Sequence, residues 1–353
     1  MLKILTVVGA RPQFIKAAAI SHTIRQSFAG RVGEDLLHTG QHYDDAMSAR
    51  FFRELDIPAP RYNLGVGSGS HGTQTAAMLK GVEDVLLAER YDALLVYGDT
   101  NSTLAGALAA AKLGVPVMHV EAGLRSFNRS MPEELNRVLT DHASSLLFAP
   151  TLTAVQNLRN EGFRSEMIVH SGDVMFDNVL RYAPVAKSHD PGGNEDILLT
   201  VHRNFNTDAP QRLTTILSGV EAAASALGAT VLFPVHPRTR QHLESMAFKC
   251  IHFVEPLSYL ETLAVLRRVR LVMTDSGGLQ KEAFFSGRPC VVLRDETEWT
   301  ELVDCGAAAL SGASRDSIVS CAKAMWNVVP ASIGDFGNGH AAEAVLDSIL
   351  RAI

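Results

Sequence analysis

Three acidic residues stand just past short apolar runs or open the helix that follows one. Asp99 lies in Val96-Tyr97-Gly98-Asp99-Thr100-Asn101, Glu121 in His119-Val120-Glu121-Ala122-Gly123-Leu124-Arg125, and Glu133 in Met131-Pro132-Glu133-Glu134-Leu135-Asn136-Arg137. Carboxylates on adjacent carboxyl-end loops are natural general acids and bases, because each can exchange a proton with the same substrate at hydrogen-bond distance. Glu133 and Arg137 are four apart and share a helix face. One of Glu133 and Glu134 reads better as a first-turn acid that suits the helix dipole.

Other segments are suited to anions. Gly9-Ala10-Arg11-Pro12-Gln13-Phe14-Ile15-Lys16 follows the first apolar run and opens a helix. Gly9 permits the tight turn and Pro12 suits a first helical turn. Arg11 and Lys16 then stand near a helix N-terminus, where a diphosphate would be favoured; a solvated helix start fits these residues equally well. Thr200-Val201-His202-Arg203 and Pro234-Val235-His236-Pro237 each put a histidine at a strand end, a pairing that points to a phosphate or leaving-group role. In Thr274-Asp275-Ser276-Gly277-Gly278-Leu279-Gln280-Lys281-Glu282-Ala283 a strand ends, two glycines allow close approach and a helix begins. The N–H groups of Ser276, Gly277 and Gly278 would cradle phosphate oxygens, and Glu282 could accept both ribose hydroxyls. Gly67-Ser68-Gly69-Ser70-His71-Gly72 satisfies the dinucleotide pattern GxGxxG, but no good strand precedes it and no acid closes the unit, so nicotinamide binding is not expected.

These segments need a frame that gathers strand ends. Apolar runs at Lys3–Val8, Asp35–His38, Ala93–Tyr97, Pro116–His119, Ser145–Phe148 and Met167–His170 predict a first set of strands. Asp196–Thr200, Thr230–Pro234, Ile251–Val254, Leu271–Thr274 and Cys290–Leu293 predict a second. Helical patterns lie between them, at Gln13–Gln26, Thr73–Ala88, Thr103–Leu113, Glu133–Ser144, Gln211–Leu227 and Tyr259–Val269. Strands that are apolar throughout, separated by amphipathic helices, imply parallel sheets covered on both faces: an α/β protein with two doubly wound domains. The expected division is a first domain over 1–180, a Pro- and Gly-bearing linker over 181–195, a second domain over 196–338 and a helix over 339–353 that could return to the first. Such units usually bind ligands at the carboxyl ends of their strands.

The chain has 353 residues and a formal net charge of -6, which argues against nucleic acid as the main partner. The run from Leu2 to Val8 is too short for a membrane span and lacks a signal peptide's cleavage region. Cys250, Cys290, Cys305 and Cys321 form no CxxC pair, so neither zinc nor a disulfide framework is expected, and reduced thiols fit a cytoplasmic protein.

Taken in order, GARPQFIK, TGQH, YGDTNST, HVEAGLR, PEELNR, His202-Arg203, PVHP, TDSGGLQKEA, RDETEW and GNGHAAEAVL resemble the non-hydrolysing UDP-N-acetylglucosamine 2-epimerase family over nearly the whole chain. The resemblance implies two Rossmann-like domains in a glycosyltransferase-B arrangement, with the active site in the interdomain cleft and UDP held mainly by the second domain. It implies a homodimer, a UDP-sugar substrate, and no metal or redox cofactor. Carried over by matched position, Asp99, Glu121 and Glu133 would be the acid/base carboxylates and His202 would assist the leaving group. Arg11, Lys16, Arg137 and His236 would line the charged cleft, and Ser276, Gly277, Gly278 and Glu282 would hold the nucleotide. Phe205 stands where many members carry an acid, Trp299 where an arginine is usual, and Tyr43-Asp44-Asp45 lacks a glutamine found in members activated by UDP-N-acetylglucosamine. The wording of Arg125–Met131, Gln280–Phe285 and Glu296–Trp299 is similar to a branch that epimerises UDP-2,3-diacetamido-2,3-dideoxyglucuronate for O-antigen sugars, with Arg129 a candidate cation for the uronate. The rival readings are a glycosyltransferase of the same architecture, a hydrolysing epimerase and a non-catalytic sugar-nucleotide sensor.

Overall fold

A computed structural model of the chain describes residues 1–41, 51–207, 209–235, 243, 248–331 and 334–353. It divides into two units, Met1–Asn178 with Gly334–Ile353, and Val179–Ile333.

The first unit carries strands β1 (Leu2–Val8), β2 (Val32–His38), β3 (Tyr62–Asn63), β4 (Ala93–Tyr97), β5 (Val117–Val120), β6 (Leu146–Ala149) and β7 (Ile168–His170). Between them run helices α1 (Arg11–Ser27), α2 (His71–Ala88), α3 (Asn101–Lys112), α4 (Pro132–Ala143) and α5 (Leu152–Asn160), and α6 (Val174–Ala186) follows β7. All strand pairs are parallel, in the order β3-β2-β1-β4-β5-β6-β7. The order reverses between β1 and β4, so the carboxyl ends of these two strands flank the switch point where doubly wound sheets place ligands. Leu5, Val7, Leu94 and Val96 are fully buried there, as β-branched and aliphatic residues must be in a sheet covered on both faces.

Two features fix that end of the sheet. A Cβ on Gly9 would meet Thr39 Oγ1 at 2.1 Å and Ser102 Oγ at 2.2 Å, so only glycine lets β1 run straight into α1 here. Gln13, 1% exposed, then accepts from the N–H groups of Gly9 (2.9 Å) and Ala10 (3.1 Å). Its amide donates to Tyr97 O at 3.1 Å and Thr103 Oγ1 at 2.9 Å, which ties the end of β1 to the end of β4.

The second unit holds β8 (Ile197–Thr200), β9 (Val231–Pro234), β10 (Ile251–Val254), β11 (Leu271–Thr274), β12 (Cys290–Val292) and β13 (Ala308–Leu310). Its helices include α7 (Pro210–Leu227), α8 (Tyr259–Arg268), α9 (Gly277–Phe285) and α10 (Arg315–Met325). The parallel order β10-β9-β8-β11-β12-β13 repeats the winding of the first unit, with its switch point between β8 and β11. Ile216, Leu217 and Val220 of α7 and Ile318 and Ala322 of α10 pack with Leu199, Phe233 and Met273 to form the core on one face.

The segment 181–195, where the sequence pattern breaks, is helical as far as Ala186 despite Pro184, and residues 187–189 form a 3-10 turn. The edge strands β3 and β13 were not predicted; at two and three residues they leave too little pattern to read. The last helix, α11 (Ala341–Ala352), packs against α1 within the first unit. Asp177 anchors it, accepting from the N–H groups of Ala341 (3.1 Å) and Ala342 (2.8 Å), two donors that a helix start leaves without partners.

Burial pushes the Asp177 carboxyl up to about 6, against the two helix N–H groups that favour its charged form. A carboxyl raised in the folded state keeps a proton that the unfolded chain has released, so its contribution to stability is lost as pH rises from about 4 to about 6. The Asp177→Asn variant should therefore gain on the wild type across that window, by about 3 kcal/mol at most. Urea midpoints measured at several pH values check this, and a difference that does not change with pH would contradict it.

Candidate active site

At the carboxyl ends of β4 and β5 the chain adopts unusual backbone geometry. Gly98 has φ +62° and Glu121, not a glycine, has φ +70°. A left-handed conformation costs a non-glycine residue roughly 1–2 kcal/mol, so neighbouring contacts must hold it. The Glu121 and Ala122 N–H groups both donate to Phe148 O, at 3.1 and 3.0 Å. The Glu121 carboxylate pairs with Lys16 of α1, and both side chains are largely buried. A Cβ on Gly98 would stand 2.9 Å from Lys16 Nζ and 3.3 Å from Glu121 Oε1, so this glycine makes room for the ion pair.

Asp99, the next residue, pairs with Arg137 of α4. Arg137 is 2% exposed and also binds Glu134 at 2.8 Å, so one buried guanidinium serves two carboxylates. Asn136 donates to Asp99 O at 2.9 Å. Tyr97 and Val120 are register partners, which makes the Asp99 and Glu121 turns neighbours by construction. The structure thus gathers Lys16, Asp99, Glu121 and Arg137 at one end of the first sheet. Glu133 stands half-buried on the first turn of α4. Arg11 opens α1, its guanidinium 4.8 Å from the Phe51 ring centroid.

Glu134 does more than complement a helix dipole. Its carboxylate, 3% exposed, accepts from Ser126 N (2.9 Å), Ser126 Oγ (3.0 Å) and Phe127 N (2.9 Å). It thereby holds the loop after β5, in which Phe127 has φ +59° and an exposed ring. Arg129 of that loop is exposed as well. The three-residue spacing to Arg137 signals that ion pair but not the hold on the loop.

In the second unit, the fully buried Asp275 at the end of β11 accepts from His202 N (3.1 Å), Arg203 N (3.0 Å) and Asn206 Nδ2 (3.0 Å). It fastens the loop after β8 to the strand that leads into α9. His202 is thereby placed at the switch point with its side chain 59% exposed and its ring nitrogen 3.8 Å from the Asp275 carboxylate. Ser276 caps α9, and Gly277 and Gly278 form its first turn, an N-terminus with a dipole suited to an anion. A Cβ on Gly277 would meet Glu298 Oε1 at 2.2 Å. Glu282 is buried on the same helix. Trp299 is buried with Lys281 Nζ 4.0 Å from its ring centroid, and Phe205 is on the surface while Asn206 is buried beside it. His236 lies outside the described residues, as does Tyr43-Asp44-Asp45.

The model of the UDP-N-acetylglucosamine 2-epimerase family matches residues 27–350. The chain belongs to this family. It is 49% identical, over 99% of its length and 100% of the relative's, to the UDP-2,3-diacetamido-2,3-dideoxy-D-glucuronate 2-epimerase of Pseudomonas aeruginosa. It is 40% identical to the UDP-N-acetylglucosamine 2-epimerase of Methanocaldococcus jannaschii, over 98% of each chain. A crystal structure of an M. jannaschii family member in complex with UDP-GlcNAc and UDP superimposes with a TM-score of 0.91 at 40% identity, covering 100% of both chains. A UDP-GlcNAc-bound family structure from Neisseria meningitidis gives 0.87 at 29% identity, over 99% of this chain and 100% of that one. A glycosyltransferase at 13% identity and a TM-score of 0.55 shares the fold alone. The two doubly wound units expected from the sequence are the family's architecture.

Proposed function

We propose that the chain is a non-hydrolysing 2-epimerase of a UDP-activated 2-acetamido sugar. The observation that carries this is the pair of carboxylates at neighbouring strand ends, Asp99 and Glu121, each held by its own buried cation. A glycosyltransferase or a sensor has no need of two proton-transfer groups beside one sugar carbon, and inversion at C2 does.

The C2 proton of a 2-acetamido sugar is not next to a carbonyl. Site tuning moves a pKa by only about 2–5 units, too little for direct removal. Breaking the C1–O bond, with UDP taking the electron pair, puts positive charge beside C2. One carboxylate then takes the proton, leaving a 2-acetamidoglucal and UDP. Protonation of C2 from the other face and return of UDP to C1 give the epimer, with atoms and charge conserved. We assign the proton transfers to Asp99, Glu121 and Glu133, and departure of the diphosphate to His202. Ser276, Gly277, Gly278 and Glu282 hold the nucleotide in this reading, with Arg11, Lys16, Arg137 and His236 also assigned to substrate binding.

The 49% identity to the P. aeruginosa enzyme favours the 2,3-diacetamido glucuronate as the sugar, with UDP-N-acetylglucosamine as the alternative. We also propose a homodimer that works in the cytoplasm. Leu135 and Leu139, one turn apart on α4, are 45% and 49% exposed, an apolar pair suited to a second copy. Among the described residues no helix is long and apolar enough to cross a membrane, and the four cysteines are free, as in a reducing compartment.

The UDP-2,3-diacetamido glucuronate incubated with the enzyme in heavy water, and followed at C2 by NMR, should give the epimer carrying deuterium with UDP still attached; exchange with UDP-N-acetylglucosamine alone would favour the alternative. Asp99→Asn should slow this by roughly 10²-fold or more while UDP binding persists. Net UDP release would indicate a hydrolase or transferase, and no exchange with either sugar would end the reading. For the assembly, Leu135→Asp with Leu139→Asp should shift sedimentation from dimer to monomer; an unchanged dimer would place the interface elsewhere.

A further inference from the structure

Directly behind the Asp99 and Glu121 turns lies a fully buried histidine that the proposed chemistry does not use. His119, on β5, is enclosed between two partners, with Nδ1 2.7 Å from Asp141 Oδ1 and Nε2 2.8 Å from Gly98 O. A peptide carbonyl has no proton to give, so Nε2 donates. Asp141, also fully buried, receives Arg125 Nη2 at 2.7 Å and Gly123 N at 3.2 Å on its other oxygen. Burial works to raise the Asp141 carboxyl, but the hydrogen bond from His119 and the charge of Arg125 outweigh it and hold the group below its ordinary range. A carboxylate surrounded by donors accepts only, so Nδ1 donates as well.

We infer that His119 carries a proton on both ring nitrogens and acts as a positioning residue for the epimerisation, setting through two hydrogen bonds the turns that bear Asp99 and Glu121. This rests on the function proposed above. Nε2 fixes the carbonyl of Gly98, the left-handed residue that immediately precedes Asp99. Nδ1 fixes Asp141, whose other oxygen holds the N–H of Gly123 in the left-handed loop that begins at Glu121. Gly123 is packed so closely that a Cβ there would meet Ala154 O at 2.5 Å. The charge of the ring is balanced locally: Arg125 also binds Glu161 through Nε and Nη2, each at 2.6 Å, so two cations face two carboxylates in one network. A neutral ring could donate to only one partner and would release one of the two turns.

Two measurements test this. In protein labelled with heavy nitrogen in histidine, the His119 ring should show two bound protons at about pH 7.5, where a free imidazole is neutral. Contacts from the ring proton to the α-protons of Gly98 assign the signal in the wild type. A single ring proton would overturn the inference, whether or not any variant folds. Folded His119→Gln should keep KM and the UDP dissociation constant within about twofold while kcat falls roughly 10²-fold, the scale of a small misplacement of reacting groups. A folded variant with wild-type kcat would overturn the positioning role. A wild-type enzyme with no epimerase activity would instead refute the proposed function, leaving the ring's protonation to the NMR result.

Discussion

Charge buried at a strand end must be matched by opposite charge within reach, and the functional end of the first sheet is organised by that requirement. Removing one partner of a buried pair costs about 3–5 kcal/mol, because the remaining charge is left without water or counterion. Lys16 answers Glu121, and Arg137 answers both Asp99 and Glu134. Behind them Arg125 answers Asp141 and Glu161, and His119 is hydrogen-bonded to Asp141. Glycines at 98 and 123, and the left-handed Glu121, bend the backbone so that these groups can meet. The second unit uses the same principle with backbone donors: Asp275 collects N–H groups from the loop after β8 and so fixes where His202 emerges.

This arrangement bears directly on the chemistry. A base that must take a proton from an unactivated carbon gains little from a shifted pKa alone, and much from being placed where departure of the leaving group creates charge. In the mechanism proposed above, carboxylates on adjacent turns, each tethered through a different helix, would provide distinct positions for removing and returning a proton. In the same proposal the start of α9, whose dipole suits an anion, would anchor the diphosphate that leaves C1 and returns to it.

The winding of both sheets was legible because their central strands are short, apolar throughout and separated by amphipathic helices. Asp99, Glu121, His202 and the Ser276-Gly277-Gly278 turn were legible because each follows such a strand at once. The two edge strands were not, since Tyr62–Asn63 and Ala308–Leu310 are too short to show a period. Glu134, His119 and Asp275 were missed as organising groups for a different reason. Their roles arise from hydrogen bonds to backbone groups distant in sequence, such as Gly98 O for His119 and Ser126 N for Glu134. Residue type and spacing carry no record of such partners. The helix continuing through Pro184 likewise reflects tertiary support that overrides a local breaker.

The central claim is that the bond between C1 and the diphosphate oxygen opens and closes in every turnover. It is tested most directly by a substrate bearing heavy oxygen in that bridging position. The account predicts that the label spreads into the non-bridging oxygens of the β-phosphate at least as fast as epimer appears. Epimer formed with the label still wholly in the bridge would contradict it.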